Sequence, residues 1–270
     1  SPDVAIGQPG LSFRYVETLG ETGAPYPVDT QHLNRPNGLA TNGSGEVFVV
    51  EEKGLRLLKY DQAGSTIWTV GTPGQPFHDG PYLANPKDIA LDNAGNPWVV
   101  IDHAVKQFSP TGAPLQIFPV LSPWAAGSGN DRFHSPSGVA IDSTGRLFVS
   151  DSANDRVQVF SLASGSPVYV ATIGVTGVPG NDAAHFDFPA QIALDSSNRL
   201  YVADVNNSRV QRCVFTTAWA CTTFHGTGSP GSGPNQLNQA FGIGFDASSG
   251  VVYIADSGNG RVKRCGTGGS

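Results

Sequence analysis

Six histidines and a recurring carboxylate–arginine pair are the residues of this chain with types and spacings that suggest chemistry. His32, His78, His103, His134, His185 and His225 are spread along the sequence, and Asp79, Asp131 and Asp187 lie close to three of them. Imidazole and carboxylate are the usual borderline ligands for zinc and its neighbours, so a bound metal is one expectation. His32 and His185 each stand four residues before a proline, Pro36 and Pro189, and so are expected at equivalent places. Asp151, Asp204 and Asp256 each precede an arginine by five residues (Arg156, Arg209 and Arg261), and Glu51 with Arg56 keeps that offset. A pair repeated at fixed spacing reads as scaffold. The carboxylate would accept amides of a tight turn, and the arginine would reach a neighbouring carboxylate or carbonyl. No G-x-S-x-G, H-E-x-x-H or C-x-x-C is present, and GTPG at 71–74 lacks the helix that a phosphate loop requires.

The elements that must hold these residues are written as a repeat. PSGVAIDSTGRLFVSDSANDRVQVF at 136–160 and PAQIALDSSNRLYVADVNNSRVQRC at 189–213 are its clearest copies. Starts at Pro36, Pro86, Pro136, Pro189 and Ala240 are spaced 50, 50, 53 and 51 residues apart. Each unit shows three β-branched and aromatic runs separated by Gly, Asn, Asp and Ser turns. A fourth run precedes the next start: 66–70, 115–120, 168–173 and 220–225. Four short antiparallel strands per unit predict an all-β fold, a β-propeller of five four-stranded blades, with six as the alternative. The repeat is unbroken, so residues 1–270 read as one domain. The amino-terminal stretch 14–19 is expected to pair with the strand 261–265 of the last blade, closing the ring and covering its sheet edge.

In such a ring the loops from fourth to first strand and from second to third strand share a face. That face is expected to carry His32, His78, Tyr82, His103, Trp124, Phe133, His134 and His185, and to be the ligand-binding face. The aromatics sit in long Gly- and Pro-rich connections, which favours a protein or peptide partner, with carbohydrate second. Trp68 and Trp98 fall on strand positions and are read as packing between blades.

Net charge is −6, from 16 Lys plus Arg against 22 Asp plus Glu, so a basic face for nucleic acid is not expected. No apolar run approaches the roughly 18 to 20 residues of a spanning helix, and no membrane association is expected. A monomer is expected. The chain opens on Ser1, which reads as a processed product or as one module of a longer protein. Cys213 ends the third strand of the fourth unit and Cys221 begins its fourth strand, so a disulfide is expected, with two reduced thiols as the alternative. Cys265 has no equivalent partner and is read as free or bonded outside the chain. A disulfide, with a surface rich in Ser, Thr, Asn and Gly, points to an extracytoplasmic or secreted protein.

The pattern P-x-G-[LV]-A, D-x-x-G-x-[LV]-[FY]-V and D-x-x-N-x-R-V-Q resembles the NHL repeat, best at 136–160 and 189–213. That resemblance implies a propeller. It also implies roles ranging from RNA- and protein-binding modules to zinc-dependent peptidyl-α-hydroxyglycine amidating lyases. AHFDFP at 184–189 is similar to the stretch in which those lyases place one zinc histidine, which makes His185 a candidate metal ligand and His32 its counterpart. Their other ligands follow the blade proline, where this chain has Asn37, Lys87, Ser137 and Ala190. The expectation is therefore a non-catalytic binding or scaffold propeller with no cofactor. A metal-dependent lyase or hydrolase holding zinc or calcium is the alternative.

Overall fold

A computed structural model describes residues 33–71, 83–119 and 125–266. The repeat folds into five antiparallel sheets. The first blade holds β1 (Pro36–Thr41), β2 (Val47–Glu51), β3 (Arg56–Tyr60) and β4 (Thr66–Val70). The second holds β5 (Asp88–Leu91), β6 (Pro97–Ile101), β7 (Ala104–Phe108) and β8 (Pro114–Phe118). The third holds β9 (Gly138–Ile141), β10 (Arg146–Asp151), β11 (Arg156–Ser161) and β12 (Val168–Gly174). The fourth holds β13 (Pro189–Leu194), β14 (Leu200–Asp204), β15 (Arg209–Phe215) and β16 (Trp219–Gly226). The fifth has three strands among the described residues: β17 (Ala240–Asp246), β18 (Val251–Asp256) and β19 (Arg261–Gly266). Residues 14–19, expected to close this blade, lie outside the described residues.

The first hairpin shows why the sequence folds this way. Asp142 Oδ1 accepts the N–H groups of Thr144 and Arg146, both at 2.9 Å, and Asp92, Asp195 and Asn42 do the same in their blades. The third turn residue must then take a positive φ. Glycine supplies it at Gly45, Gly95 and Gly145, and Asn198 does so in the fourth blade.

First strands of successive blades pack side by side, β1 on β5, β5 on β9, β9 on β13 and β13 on β17, so they line the axis. The core is divided among the interfaces between blades. Phe48 and Leu57 meet Ile89 and Val99, Trp98 and Val105 meet Val139 and Phe160, Phe148 and Val159 meet Ile192 and Val202, and Tyr201 and Val210 meet Ile243 and Ile254. Trp98 is fully buried as expected, and Trp68 packs at the edge of the first interface. Cys213 and Cys221 stand opposite each other on β15 and β16 and are bonded, while Cys265 is free.

The carboxylate–arginine pairs face each other across the second and third strands: Glu51–Arg56, Asp151–Arg156, Asp204–Arg209 and Asp256–Arg261. The arginine Nε donates to the carboxylate at 2.5 to 2.8 Å in each. The amide each carboxylate accepts comes from the long loop entering the blade rather than from the tight turn. The donors are Asn34, His134, Asp187 and Asn238, at 2.6 to 2.7 Å. The guanidinium then binds carbonyls of that loop. Arg156 reaches Gly129 and Arg132, Arg209 reaches Asn181, Asp182 and His185, and Arg261 reaches Ser232, Gly233 and Gln236. In the second blade Ile101 faces Ala104 at these positions, and the clamp is apolar.

Arg209 and Asp204 are almost fully buried, so Asp204→Ala leaves a guanidinium without its counterion. The expected cost is about 3–5 kcal/mol in urea denaturation. Arg35→Ala, which breaks the exposed pair with Glu52, should cost less than about 1 kcal/mol. Equal costs would show that the clamp is no more than a surface ion pair.

Candidate functional site

The clamps fix the loops that carry the expected site residues. His32, His78, Tyr82 and Trp124 lie outside the described residues. The structure does bring His103 and His134 together: their ring centroids are 5.9 Å apart at an angle of 59°. His103 Nδ1 accepts the Ser135 N–H at 3.1 Å, which leaves the proton of the neutral ring on Nε2. Burial lowers the His103 pKa, opposed by the nearby Asp102 carboxylate. His134 is exposed. Its backbone N–H, not its ring, makes the bond to Asp151.

Phe133 does not belong to an exposed aromatic surface. It is fully buried, edge-on to Phe118 and Phe160, because Arg156 and Gln158 hold the Arg132 carbonyl and turn the next side chain between blades two and three. Phe186 is likewise buried in the next interface.

His185 is half-buried, with Nδ1 2.7 Å from Asp182 Oδ1. The contact to the imidazole, with backbone amides, holds the Asp182 carboxyl below its usual range. Its carbonyl is a target of Arg209 and Gln211, so the AHFDFP stretch serves the clamp. Among the described residues no three His, Cys, Asp or Glu side chains converge to hold a metal ion. The residues after the blade prolines include Lys87, whose ammonium lines the axis and repels a cation. The described residues therefore do not fit a zinc or calcium centre, and no reaction step is derived through one.

A cavity of about 560 Å³ opens at the axis, lined by residues of all five blades. Arg35, Asn37 and Glu52 come from the first blade, Asn85 and Lys87 from the second and Ser137 from the third; Phe188, Gln191, Phe241, Gly242 and Ser257 complete it. The residue before each blade start is left-handed. Arg35, Asn85, Ser135, Phe188 and Gln239 all have φ between 48° and 56°, a conformation uncommon without glycine. Strain repeated five times is held by the fold, and three of these residues, Arg35, Asn85 and Phe188, line the mouth. Lys87 Nζ donates to the Pro136 carbonyl at 2.9 Å, and burial lowers its pKa.

Below the mouth lies Asp88, fully enclosed. Its Oδ2 accepts the Val139 N–H at 3.0 Å and its Oδ1 accepts Gln191 Nε2 at 3.2 Å. Gln191 Oε1 accepts the Ile243 N–H at 3.1 Å, so blades two to five are tied across the axis. Burial pushes the Asp88 pKa up to about 7, against the hydrogen bonds from Val139 and Gln191. In sequence, Asn37, Lys87, Ser137 and Ala190 stand where the resemblance to amidating lyases asks for zinc ligands, and Asn37 and Asp88 are the kinds of side chain a calcium-dependent relative would turn to the axis. Their place directly after the blade proline was the signal that they surround the axis.

The NHL repeat model matches at residues 133–160 and 186–213. The chain is 29% identical over 155 residues to peptidyl-glycine alpha-amidating monooxygenase A of Xenopus laevis, covering 55% of this chain and 16% of that protein. It is 25% identical over 195 residues to NHL repeat-containing protein 3 of Mus musculus, covering 70% of this chain and 52% of that one. The chain thus spans about half or less of the length of these curated relatives. Among solved structures, a streptogramin B lyase has a TM-score of 0.58 at 16% identity, with 88% of this chain and 67% of that chain covered. An auxiliary nutrient binding protein from Bacteroides ovatus has a TM-score of 0.62 at 16% identity, with 85% and 58% covered. These structural likenesses concern the fold.

The axial carboxylate yields a pH signature. An unfolded Asp88 would ionise above about pH 4, the folded one only near 7, so the folded state holds its proton longer. Its contribution to stability is full below about pH 4 and falls as pH rises to about 7. Denaturation midpoints of Asp88→Asn should show a flatter slope over that window than the parent. An unchanged slope would show that Asp88 ionises normally in the fold.

Proposed function

The chain belongs to the NHL-repeat β-propellers, and from that premise we propose that it is a non-catalytic binding module. Its axial mouth, with the long-loop face around it, holds a protein or peptide. The observation that supports this is a contrast between two sets of equivalent positions. The clamp positions keep a carboxylate and an arginine in four of the five blades. The mouth residues do not repeat: Asn37, Lys87, Ser137 and Phe241 follow the blade start, and Arg35, Asn85 and Phe188 precede it. Scaffold demands explain repetition; a ring of differing side chains around one cavity suits recognition of a single asymmetric ligand.

The chemistry of the mouth favours a peptide with an acidic group beside an apolar side chain. Lys87 and Arg35 supply positive charge, Asn37, Asn85 and Gln191 supply amides, and Phe188 and Phe241 supply apolar walls, Phe241 being 47% exposed. Glu52 pairs with Arg35 at 3.1 Å and can accept a peptide N–H in exchange. Carbohydrate is the second class, since amides beside an aromatic face also suit a sugar. The net charge of −6 and the Cys213–Cys221 bond are consistent with a monomer outside the reducing cytosol that does not bind nucleic acid.

The test is a peptide-library selection on the parent protein, followed by affinity measurement on Lys87→Ala, Phe241→Ala double variants. A loss of at least about tenfold is expected, with weaker binding at high salt. A selected peptide that binds the double variant with parent affinity places the site elsewhere on the molecule.

A further inference from the structure

Two departures from the repeat meet between the fourth and fifth blades. Opposite the second residue of each third strand stands an apolar side chain of the outer strand: Val70 faces Leu57, Phe118 faces Val105 and Ile173 faces Val157. In the fourth blade that place, opposite Val210, is taken by His225. The other departure lies two residues after the clamp arginine. Gln158 and Gln211 there donate Nε2 to a carbonyl of the entering loop, that of Arg132 and that of His185. In the fifth blade the position is Lys263, whose Nζ donates to the carbonyls of Gly233, at 3.3 Å, and of Pro234. Both carbonyls belong to loop 227–239, which joins β16 to β17. Lys106 shares the lysine position in the second blade, but the equivalent of the histidine there is Val70.

The two departures touch: Lys263 Nζ lies 3.3 Å from His225 Nε2, and both side chains are half-buried. An ammonium has only hydrogens to give, so Nε2 is the acceptor and the ring is neutral. A protonated ring would turn an N–H toward the ammonium, and neither group could accept. Asp256, the acid whose field reaches the ring, is already engaged: it holds the Asn238 amide, the Asn259 side chain and Arg261. On the histidine's own blade Arg209 is turned away, to the carbonyls of Asn181 and Asp182. The Cys265 thiol near Lys263 is pushed up by burial and adds no charge at neutral or acid pH.

We propose that His225 and Lys263 form an acid-sensitive latch on loop 227–239: the neutral imidazole holds the lysine over the loop carbonyls, and a proton on the ring drives it off them. Burial and the Lys263 ammonium lower the His225 pKa, with Arg261 adding to them, against Asp256 and a bond to the Pro234 carbonyl. An unfolded His225 takes up its proton near pH 6.5 and the folded one only at lower pH, so the folded state binds fewer protons as acid is added. The latch is therefore fully present above that value and is lost as pH falls through the folded one, opposite in sign to the contribution of Asp88. The loop runs into β17, whose Phe241 lines the mouth, so acid acts on one wall of the cavity.

Hydrogen exchange reads the latch directly. The Gly231 and Gln236 amides are bonded within the loop, to the carbonyls of Leu237 and Gly233. Between about pH 7.5 and about pH 5.5, after correction for intrinsic rates, their protection should fall at least about threefold. His225→Ile, which installs the residue of the third blade, should abolish that response. Lys263→Gln should abolish it too, because a carboxamide oxygen can accept from a protonated ring. Protection that is the same at both pH values, or that falls as far in either variant as in the parent, overturns the proposal. So does a His225 ring that titrates at or above pH 6.5 when followed by NMR in the parent protein, a measurement that needs neither variant to fold.

Discussion

The fold depends on a buried ion pair used as a fastener. In four of five blades a carboxylate at the end of the second strand faces an arginine at the start of the third, and both reach out to the loop arriving from the previous blade. Burial alone would make such a pair costly: it raises the pKa of Asp151 and of Asp204 despite the adjacent guanidinium. What offsets the cost is the number of bonds it makes. One carboxylate takes a loop amide, an Asn side chain and the arginine, and the arginine takes two or more loop carbonyls. Long connections that would otherwise leave backbone groups unsatisfied are thereby held in one conformation.

That fastener explains how much could be read in advance. The sheets were legible because their signals are local: alternation, an Asp that closes the first hairpin, a glycine or Asn198 where φ must be positive. The bond between Cys213 and Cys221 was legible because the two residues face each other across one hairpin. Phe133 was misplaced because its direction is set by Arg156 and Gln158, which lie more than a strand away in sequence and capture the carbonyl just before it. The partner of Asp151 was misjudged for the same reason: its amide donor is 17 residues upstream, in the loop from the preceding blade.

The mouth was hidden by a different cause. Its residues follow the blade prolines, where the resemblance to amidating lyases asked for histidine. With that question answered, Lys87 and its neighbours looked like mere absences. In the fold they are the inner ends of the first strands, and the left-handed residues before them turn a set of unremarkable polar side chains into the rim of a cavity. The same strain is affordable only because each rim residue is followed by a strand locked into its sheet.

The axial bond from Gln191 to Asp88 spans 103 residues and skips a blade. In an array where each unit touches only its neighbours, unfolding can begin at one end and proceed unit by unit, and stability is close to a sum of nearest-neighbour terms. A strap from the fourth blade to the second breaks that rule. The third blade cannot loosen without pulling on both its flanks, so the middle of the ring behaves as one mechanical body. The fifth blade is joined to the same strap through the Ile243 N–H on Gln191.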